Sequence, residues 1–345
     1  MRPGDQLPSE AELAASYNVN RMTISKVMGA LKSKGIVSRK QGSGTTVLRK
    51  PSPGKPSGVI TVLPCKNITI FNNEYYRDLL FNISAVCAEN DLTNTMIGTE
   101  GGSVAQEDMT AVRELFNPSL HLGLLMIGVS FDYADSWKSL SKGFSAPTVW
   151  IGGGGERFKD ARCVCSDSYS AAVEMLKTLE KNDLKKTAFI SMEINTFDRE
   201  RRFLAFRDFQ RKKRNCQGGN IFIAPNGSPE PGLRAAEKLL KSGETFDSLF
   251  FADQSLMEGF RKKIREEDKN SGAHKLPAVC FDYKFGGGFE NVKATAEPQM
   301  KALCAGALEL LKPLDSAQGN MAHTQIRYKI SASDIPAIKK AESRI

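Results

Sequence analysis

From Val59 onward the chain alternates short apolar runs with longer amphipathic stretches, and no other feature limits its fold as strongly. Strand-like runs occur at Val59–Leu63, Leu92–Ile97, Leu122–Val129, Thr148–Ile151, Thr187–Ser191, Ile221–Ala224, Ser248–Ala252 and Ala278–Phe281. Helical stretches fall between them, near 75–90, 104–116, 168–182, 198–214, 230–242, 254–268 and 298–311. Regular βα alternation predicts parallel sheets covered by helices on both faces. Eight such strands divide more naturally into two doubly wound halves than into one large sheet, with a closed (βα)₈ barrel as the competing topology.

The charge pattern separates a different region from this one. Residues 1–58 hold ten Lys or Arg against the three acids Asp5, Glu10 and Glu12, whereas the other 287 residues hold 38 basic and 36 acidic groups. A small basic module joined to a nearly neutral large one suggests a polyanion reader attached to something else. A length of 345 residues suits two or three folded units, and 41% hydrophobic content supplies a sizeable core. No stretch approaches the ~20 apolar residues of a membrane span. The start MRPGDQLPSE lacks the apolar run of a secretory signal, so the expected location is the cytoplasm.

The seven cysteines are at 65, 87, 163, 165, 216, 280 and 304, and most of them sit in apolar runs. They read as small buried hydrophobes, with Cys163 and Cys165 the one pair close enough to invite a metal or redox reading. Three histidines, His121, His274 and His323, with neither an HxxxH pair nor a CxxC, leave a zinc site almost without ligands. No metal and no cofactor is expected. Gly152–Gly155 and Gly286–Gly288 lack the GxGxxG spacing and read as loops, and neither a GxxxxGK[ST] loop nor a GxSxG turn is present.

Within the basic module, Ser9 can cap a helix with Glu12 completing a capping box, and that helix runs to about Tyr17. Asn20 caps a second, in which Ile24, Val27, Met28 and Leu31 recur at the period of one buried stripe, and Gly35 ends it. Ile36–Leu48 reads as two short strands turning at Gly42-Ser43-Gly44. Helix, turn, helix and basic hairpin is the layout of a winged helix-turn-helix. The stripe leaves Arg21, Met22, Thr23, Ser25, Lys26 and Gly29 outward, near the start of the helix, where base edges are met. Arg39, Lys40 and Lys50 are placed to meet phosphates, with Gln41, Gly42 and Gly44 close to the duplex.

The blocks LPSEAELA (7–14), NRMTISKVMGAL (20–31) and RKQGSGTTV (39–47) resemble the GntR family of bacterial transcription regulators. The resemblance puts the family's recognition-helix arginine on Arg21 and its wing glycines on Gly42 and Gly44. Ala11 and Ser25 stand where some members carry DNA-contacting arginines, so the base-reading set is altered. In that family another amphipathic helix precedes the two described. Here Met1-Arg2-Pro3-Gly4 falls on the turn after it, so either the true start lies upstream or the reader is incomplete, and the expectation is a loosely ordered reader over residues 1–49.

Residues 50–58, with three prolines and two glycines, read as a tether. Beyond it, residues 59–345 resemble the effector domain of LacI/GalR-type repressors, with its periplasmic-binding-protein-like fold. The carrying segments are NNEYYRDLLFNI (72–83), CVCSDSYSAA (163–172), RFLAFRDF (202–209), FFADQSLMEG (250–259) and VCFDY (279–283). A GntR-type reader fused to such a sensor resembles the arabinose-repressor branch. The resemblance puts the effector-binding arginine on Arg202 and the last strand's carboxylate on Asp282, with Asp253 and Gln254 where Asn-Asp is usual. Asn73, Tyr75, Asp132 and Asp167 follow predicted strand ends, where a cleft presents side chains. An arginine fork with carboxylates supplies the bidentate partners that adjacent hydroxyls need. Tyr76 and Trp150 read as core aromatics.

The expected fold is therefore α/β, with a small winged helix-turn-helix followed by a two-lobed, doubly wound parallel-sheet domain. The expected protein is a homodimeric, ligand-responsive repressor that binds double-stranded operator DNA and a small-molecule effector, a sugar or sugar derivative, with no membrane contact. The alternatives are an enzyme acting on a small polar substrate in the α/β domain, disfavoured because no nucleophile–base set appears, and a constitutive DNA-binding dimer without effector.

Overall fold

Two contact units divide the chain, Met1–Ser57 and Gly58–Ile345. The computed structural model describes residues 3–33, 35–40, 44–48, 56–63, 74–99, 104–127, 130–154, 161–212, 221–225, 230–267, 275–282, 291–312 and 323–332. Gly58, assigned above to the tether, opens the first strand of the second unit.

In the first unit, β1 (Gln6–Leu7) is followed by α1 (Glu10–Ser16), α2 (Arg21–Ser33), β2 (Val37–Lys40) and β3 (Gly44–Val47). Ser9 accepts from the Glu12 amide while Glu12 accepts from the Ser9 amide at 2.7 Å, so the capping box forms. Gly35, at φ 64°, turns the chain out of α2 into the hairpin. The sheet order is β1-β3-β2, all antiparallel. β1 was not expected, because a two-residue strand has no periodicity. The expected stripe on α2 is only half buried: Ile24 and Met28 are covered, whereas Val27 is 47% exposed. α2 turns 100° per residue, so Val27 points 60° or more away from those two.

The second unit holds two six-stranded sheets. One, ordered β14-β8-β7-β6-β4-β5, consists of β4 (Gly58–Leu63), β5 (Thr93–Gly98), β6 (His121–Ile127), β7 (Thr148–Ile151), β8 (Arg162–Ser166) and β14 (His323–Ile326), all parallel. The other, ordered β10-β9-β11-β12-β13-β15, consists of β9 (Thr187–Met192), β10 (Ile221–Ala224), β11 (Ser248–Phe251), β12 (Ala278–Phe281), β13 (Val292–Glu297) and β15 (Lys329–Ala332). Only β15 in this sheet is antiparallel to its neighbour. Two open sheets replace the barrel alternative.

Alternation along the strands explains the layers. On β4, Val59 and Leu63 enter one hydrophobic cluster and Ile60 and Val62 another, so both faces of this sheet are covered. On β9, Ala188 and Ile190 face one side and Phe189 the other. The first sheet carries α3 (Glu74–Glu89), α4 (Gln106–Leu115), α5 (Phe131–Leu140) and α10 (Met300–Leu311); the second carries α6 (Ser168–Lys181), α7 (Phe197–Lys212), α8 (Pro231–Ser242) and α9 (Gln254–Glu267). The chain passes between sheets three times: after β8, after β13 and between β14 and β15. The unit is therefore two-lobed. β8, β13, β14, β15 and α5 were absent from the sequence reading; β13 (VKATAE) and β14 (HTQI) are weakly apolar.

Candidate functional site

On α2 the outward residues are Arg21, Met22, Thr23 and Lys26, all exposed, with Ser25 half-buried. Asn20 Oδ1 accepts from the Met22 amide at 2.8 Å and sets the first turn. Arg39 on β2 forms an ion pair with Glu10 of α1 and so ties the hairpin to the first helix. Sequence reasoning gave it to phosphates and missed this partner. Lys40 is exposed. Gly44 has φ 80°, and a Cβ there would meet Gln6 Nε2 at 2.7 Å, so the turn itself requires glycine. Gln41, Gly42 and Lys50 lie outside the described residues.

In the two-lobed domain, the carboxyl ends of β9, β11 and β12 deliver Asp198 on α7, Asp253 and Asp282, and Arg202 reaches among them from the second turn of α7. Strand ends of open α/β sheets are where such folds bind ligands. Arg202 is 2% exposed. Its guanidinium donates to Asp282 Oδ2 at 2.9 Å and Oδ1 at 3.4 Å, to the Tyr328 hydroxyl at 2.7 Å and to the Ala252 carbonyl. It also lies 4.1 Å from the ring centre of Phe281. Asp253 Oδ1 is 3.9 Å away, and Asp253 is held from its other side by Arg199 Nε at 3.2 Å.

Burial sets the electrostatics. It pushes the Asp282 carboxyl up to about 6, against the pull of the Arg202 charge. Asp198 is raised for the same reason, although Arg202 and the Ser168 hydroxyl, donating at 2.7 Å, oppose the rise. For Arg202, burial favours the neutral form, but Asp282 and the surrounding acids outweigh it and hold the cation. Asp282 itself sits at φ 61°, a left-handed conformation that Asp tolerates better than most residues and that ends β12.

The remaining expected residues divide. Tyr75, in the first turn of α3, lines a cavity of about 30 Å³ with Glu74, Asp78, Asp282, Glu297, Pro298 and Met300, so it joins Asp282 between the lobes. Burial raises its hydroxyl well above the ordinary range, with Asp198, Tyr328 and Asp282 adding to the rise. Asp167 caps α6 by accepting from the Ser170 amide at 3.1 Å. Asp132 is exposed in the first turn of α5, where a carboxylate complements the helix dipole. Neither forms a described contact with Arg202. Asn73 lies outside the described residues. Trp150 is buried and Tyr76 packs against the core, as expected. Burial pushes the Cys163 and Cys165 thiols up to about 12.

Sequence reasoning missed Tyr328, Asp198 and Ser168. Tyr328 follows a polar edge strand, and only the return of the chain brings it 126 residues back to Arg202. Asp198 carried a signal, because it stands one helical turn before Arg202 on the same helix. Among the described residues the lobes also meet where Gln254 Nε2 donates to Glu74 Oε2 at 3.2 Å, and where the Phe131 amide donates to the Asn195 carbonyl at 2.8 Å beside a Ser130–Thr196 bridge.

Residues 1–47 match the family described as bacterial regulatory proteins, gntR family. Over 50 residues the chain is 48% identical to the probable transcriptional regulator PhnF of Escherichia coli K12, covering 14% of this chain and 21% of that protein. It is 30% identical over 98 residues to the arabinose metabolism transcriptional repressor of Halalkalibacterium halodurans, covering 28% of this chain and 26% of that one. The matched segments thus span only about a fifth to a quarter of these curated relatives. Among solved structures, a transcriptional regulator CelR–cellobiose complex superposes with a TM-score of 0.66 at 13% identity, covering 94% of this chain and 99% of that one. The Cra transcriptional dual regulator from Pseudomonas putida in complex with fructose 1-phosphate gives 0.62 at 15%, covering 80% and 98%. A LacI-family transcriptional regulator from Burkhoderia phymatum gives 0.62 at 17%, covering 80% and 97%. At these identities the likeness is one of fold. The N-terminal segment is of the GntR type, and the large domain has the fold of LacI-type regulators.

Proposed function

We propose that this chain is a ligand-responsive transcription regulator, a repressor that binds operator DNA as a homodimer and releases it when a sugar or sugar derivative occupies the two-lobed domain. One observation carries the reading. The same chain holds a basic GntR-type module and a two-lobed domain whose strand ends converge on a buried arginine–carboxylate set. Arg202, Asp282, Asp253 and Asp198 gather a cation and carboxylates of the kind that hydrogen-bond hydroxyls. The solved relatives with cellobiose and with fructose 1-phosphate support the ligand class.

The cavity lined by Tyr75 and Asp282, about 30 Å³, is far below the roughly 300–1,000 Å³ of small-molecule pockets. In this reading the lobes part to admit a sugar, and parting breaks the Glu74–Gln254 and Phe131–Asn195 contacts. A ligand that bridges the lobes shifts that equilibrium, and in a dimer the shift is transmitted to the DNA-binding modules. Catalysis plays no part in this reading.

A thermal-shift screen of the full chain against a sugar library tests it. A ligand at 100 times its Kd adds about 2.7 kcal/mol, and the same ligand should release the chain from a duplex selected by binding. A sugar recovered chemically altered would favour the enzyme alternative. A chain that binds DNA yet is stabilised by no ligand would favour the constitutive one.

A further inference from the structure

We infer that the ligand of the two-lobed domain carries a positive charge on a hydroxylated frame, as an amino sugar does, and that Glu74, Asp78 and Glu297 select it over neutral and anionic sugars. The inference rests on the effector reading above and deepens it.

The charged residues lining the cavity beside Tyr75 are Glu74, Asp78, Asp282 and Glu297, and no Lys, Arg or His lines it. These acids come from both lobes. Glu74 and Asp78 share one face of α3, on the first sheet. Asp282 follows β12 and Glu297 ends β13, both in the second sheet. Among the described residues the neighbouring cations are already engaged. Arg202 is held by Asp282 and Arg199 by Asp253, while Lys329 meets Glu297 at 3.4 Å. With Asp198 and Asp253 the set holds six carboxylates, against Arg199, Arg202, Lys329 and the exposed Arg77. The segments 64–73, 100–103, 155–160 and 283–290, outside the described residues, leave that balance unchanged. They hold Lys66, Arg157, Lys159 and Lys284 against Glu100, Glu156, Asp160 and Glu290.

Like charges brought together from two lobes oppose closure, and a cation held between them favours it. An anion would add to the repulsion. Two features independent of this charge also point to a ligand. Tyr75 lines the same cavity, its ring set edge-on to Tyr76 with centres 5.5 Å apart, and an aromatic face attracts an ammonium group. Arg202 Nε, on a side chain 3% exposed, meets no acceptor among the described residues. A buried N–H left without an acceptor is costly, and a ligand hydroxyl at this arginine would supply one. Burial raises the Asp282 carboxyl to about 6 despite Arg202, so its anionic form is one that a further cation would stabilise. The ammonium group thus belongs among Glu74, Asp78 and Glu297, and the hydroxyls at Arg202 and Asp282.

The test measures binding of matched sugars to the full chain by thermal shift and calorimetry. Glucosamine, glucose and glucose 6-phosphate share one ring and differ in charge, and the galactose and mannose series are run beside them. In at least one series the amine should bind about tenfold more tightly than its neutral parent, because a charge-assisted contact replaces a neutral one. The phosphate should bind weakest. N-acetylation of that amine, which removes its charge, should abolish the advantage. Glu74→Gln and Glu297→Gln should each weaken the amine by about fivefold and leave the neutral parent unchanged. Unfolding midpoints near wild type show that these variants fold, and the wild-type comparison decides the ligand's charge without them. A neutral sugar or a phosphate that binds as tightly as its amine overturns the inference and leaves the effector reading standing. An amine preference that survives in both folded variants overturns the selecting role of these acids. If no sugar of any charge stabilises the chain, the effector reading falls and this inference with it.

Discussion

Two helical glycines, one in each unit, set the N-terminal module against the large domain. A Cβ on Gly29 of α2 would meet nothing, whereas one on Gly232 of α8 would lie 2.1 Å from the Leu256 carbonyl oxygen and 2.7 Å from the Phe260 amide of α9. The large domain uses its glycine to bring two helix backbones together inside the chain. The module leaves the same residue type facing outward. Burial follows the same division. Among the described residues of the module, Ile24, Met28, Val37 and Val47 are its buried apolar side chains, while two hydrophobic clusters cover each sheet of the large domain. Met22, Tyr17 and Val27 remain exposed. One region leaves much of its apolar surface exposed and is held together by caps and turns. The other encloses its functional groups and is held together by long-range packing.

The largest test of this contrast is Arg202→Ala. By resemblance the sequence suggested an effector contact at Arg202. The structure buries Arg202 between Asp282, Tyr328 and Asp198. Removing it strands buried carboxylates, which should destabilise the large domain by about 3–5 kcal/mol. Denaturant unfolding of the full chain measures this, and amide protection of residues 10–33 should stay at the wild-type level.

Acidity gives the next effect. Asp282 titrates near 6 in the folded chain, above the ~3.9 of an unfolded aspartate, so the folded state binds the extra proton between those values. Its contribution to stability is complete below about pH 4 and is lost as pH rises through 6, by at most about 1.4 kcal/mol per pH unit. Asp198 is shifted in the same direction. Thermal midpoints recorded from pH 4 to 7 should show this slope, and Asp282→Asn should reduce it.

Gly232→Ala follows, with a cost of about 1–3 kcal/mol from overpacking against α9, read from the denaturation midpoint. Gly29→Ala should shift the stability of its own helix in the opposite sense. The smallest effect is Ser9→Ala. Loss of the cap should cost about 1 kcal/mol, seen as faster amide exchange in α1 with the large domain unaffected. A Ser9→Ala variant in which the large domain also loosened would show that the two regions are not held together independently.

Much of the module is legible residue by residue. Ser9 with Glu12, Asn20 and Gly35 are capping and turn signals that act within four residues of themselves. Val27 was misread because periodicity reports a face and does not report what covers it. In the large domain the long strands and helices were legible, since each carries its own apolar pattern. α5 was not, because its buried residues, Tyr133, Ala134 and Trp137, occupy barely one turn of a polar segment. Arg202 and Asp282 were placed by resemblance. Their mutual fork, 80 residues apart in sequence, was not visible there.

By itself the sequence determined a basic helix-turn-helix and hairpin, a βα alternation that demands parallel sheets, and a cysteine and histidine usage that leaves little for metal chemistry. Those properties depend on period, cap and charge, which are local. Only the tertiary structure decided that the sheets number two, that Tyr328 closes on Arg202, that Arg39 turns to Glu10, and that Gly29 has open space where Gly232 has none. Each of these is a meeting of segments far apart in the chain, set by which faces the packing buries together, and no local pattern encodes such a meeting.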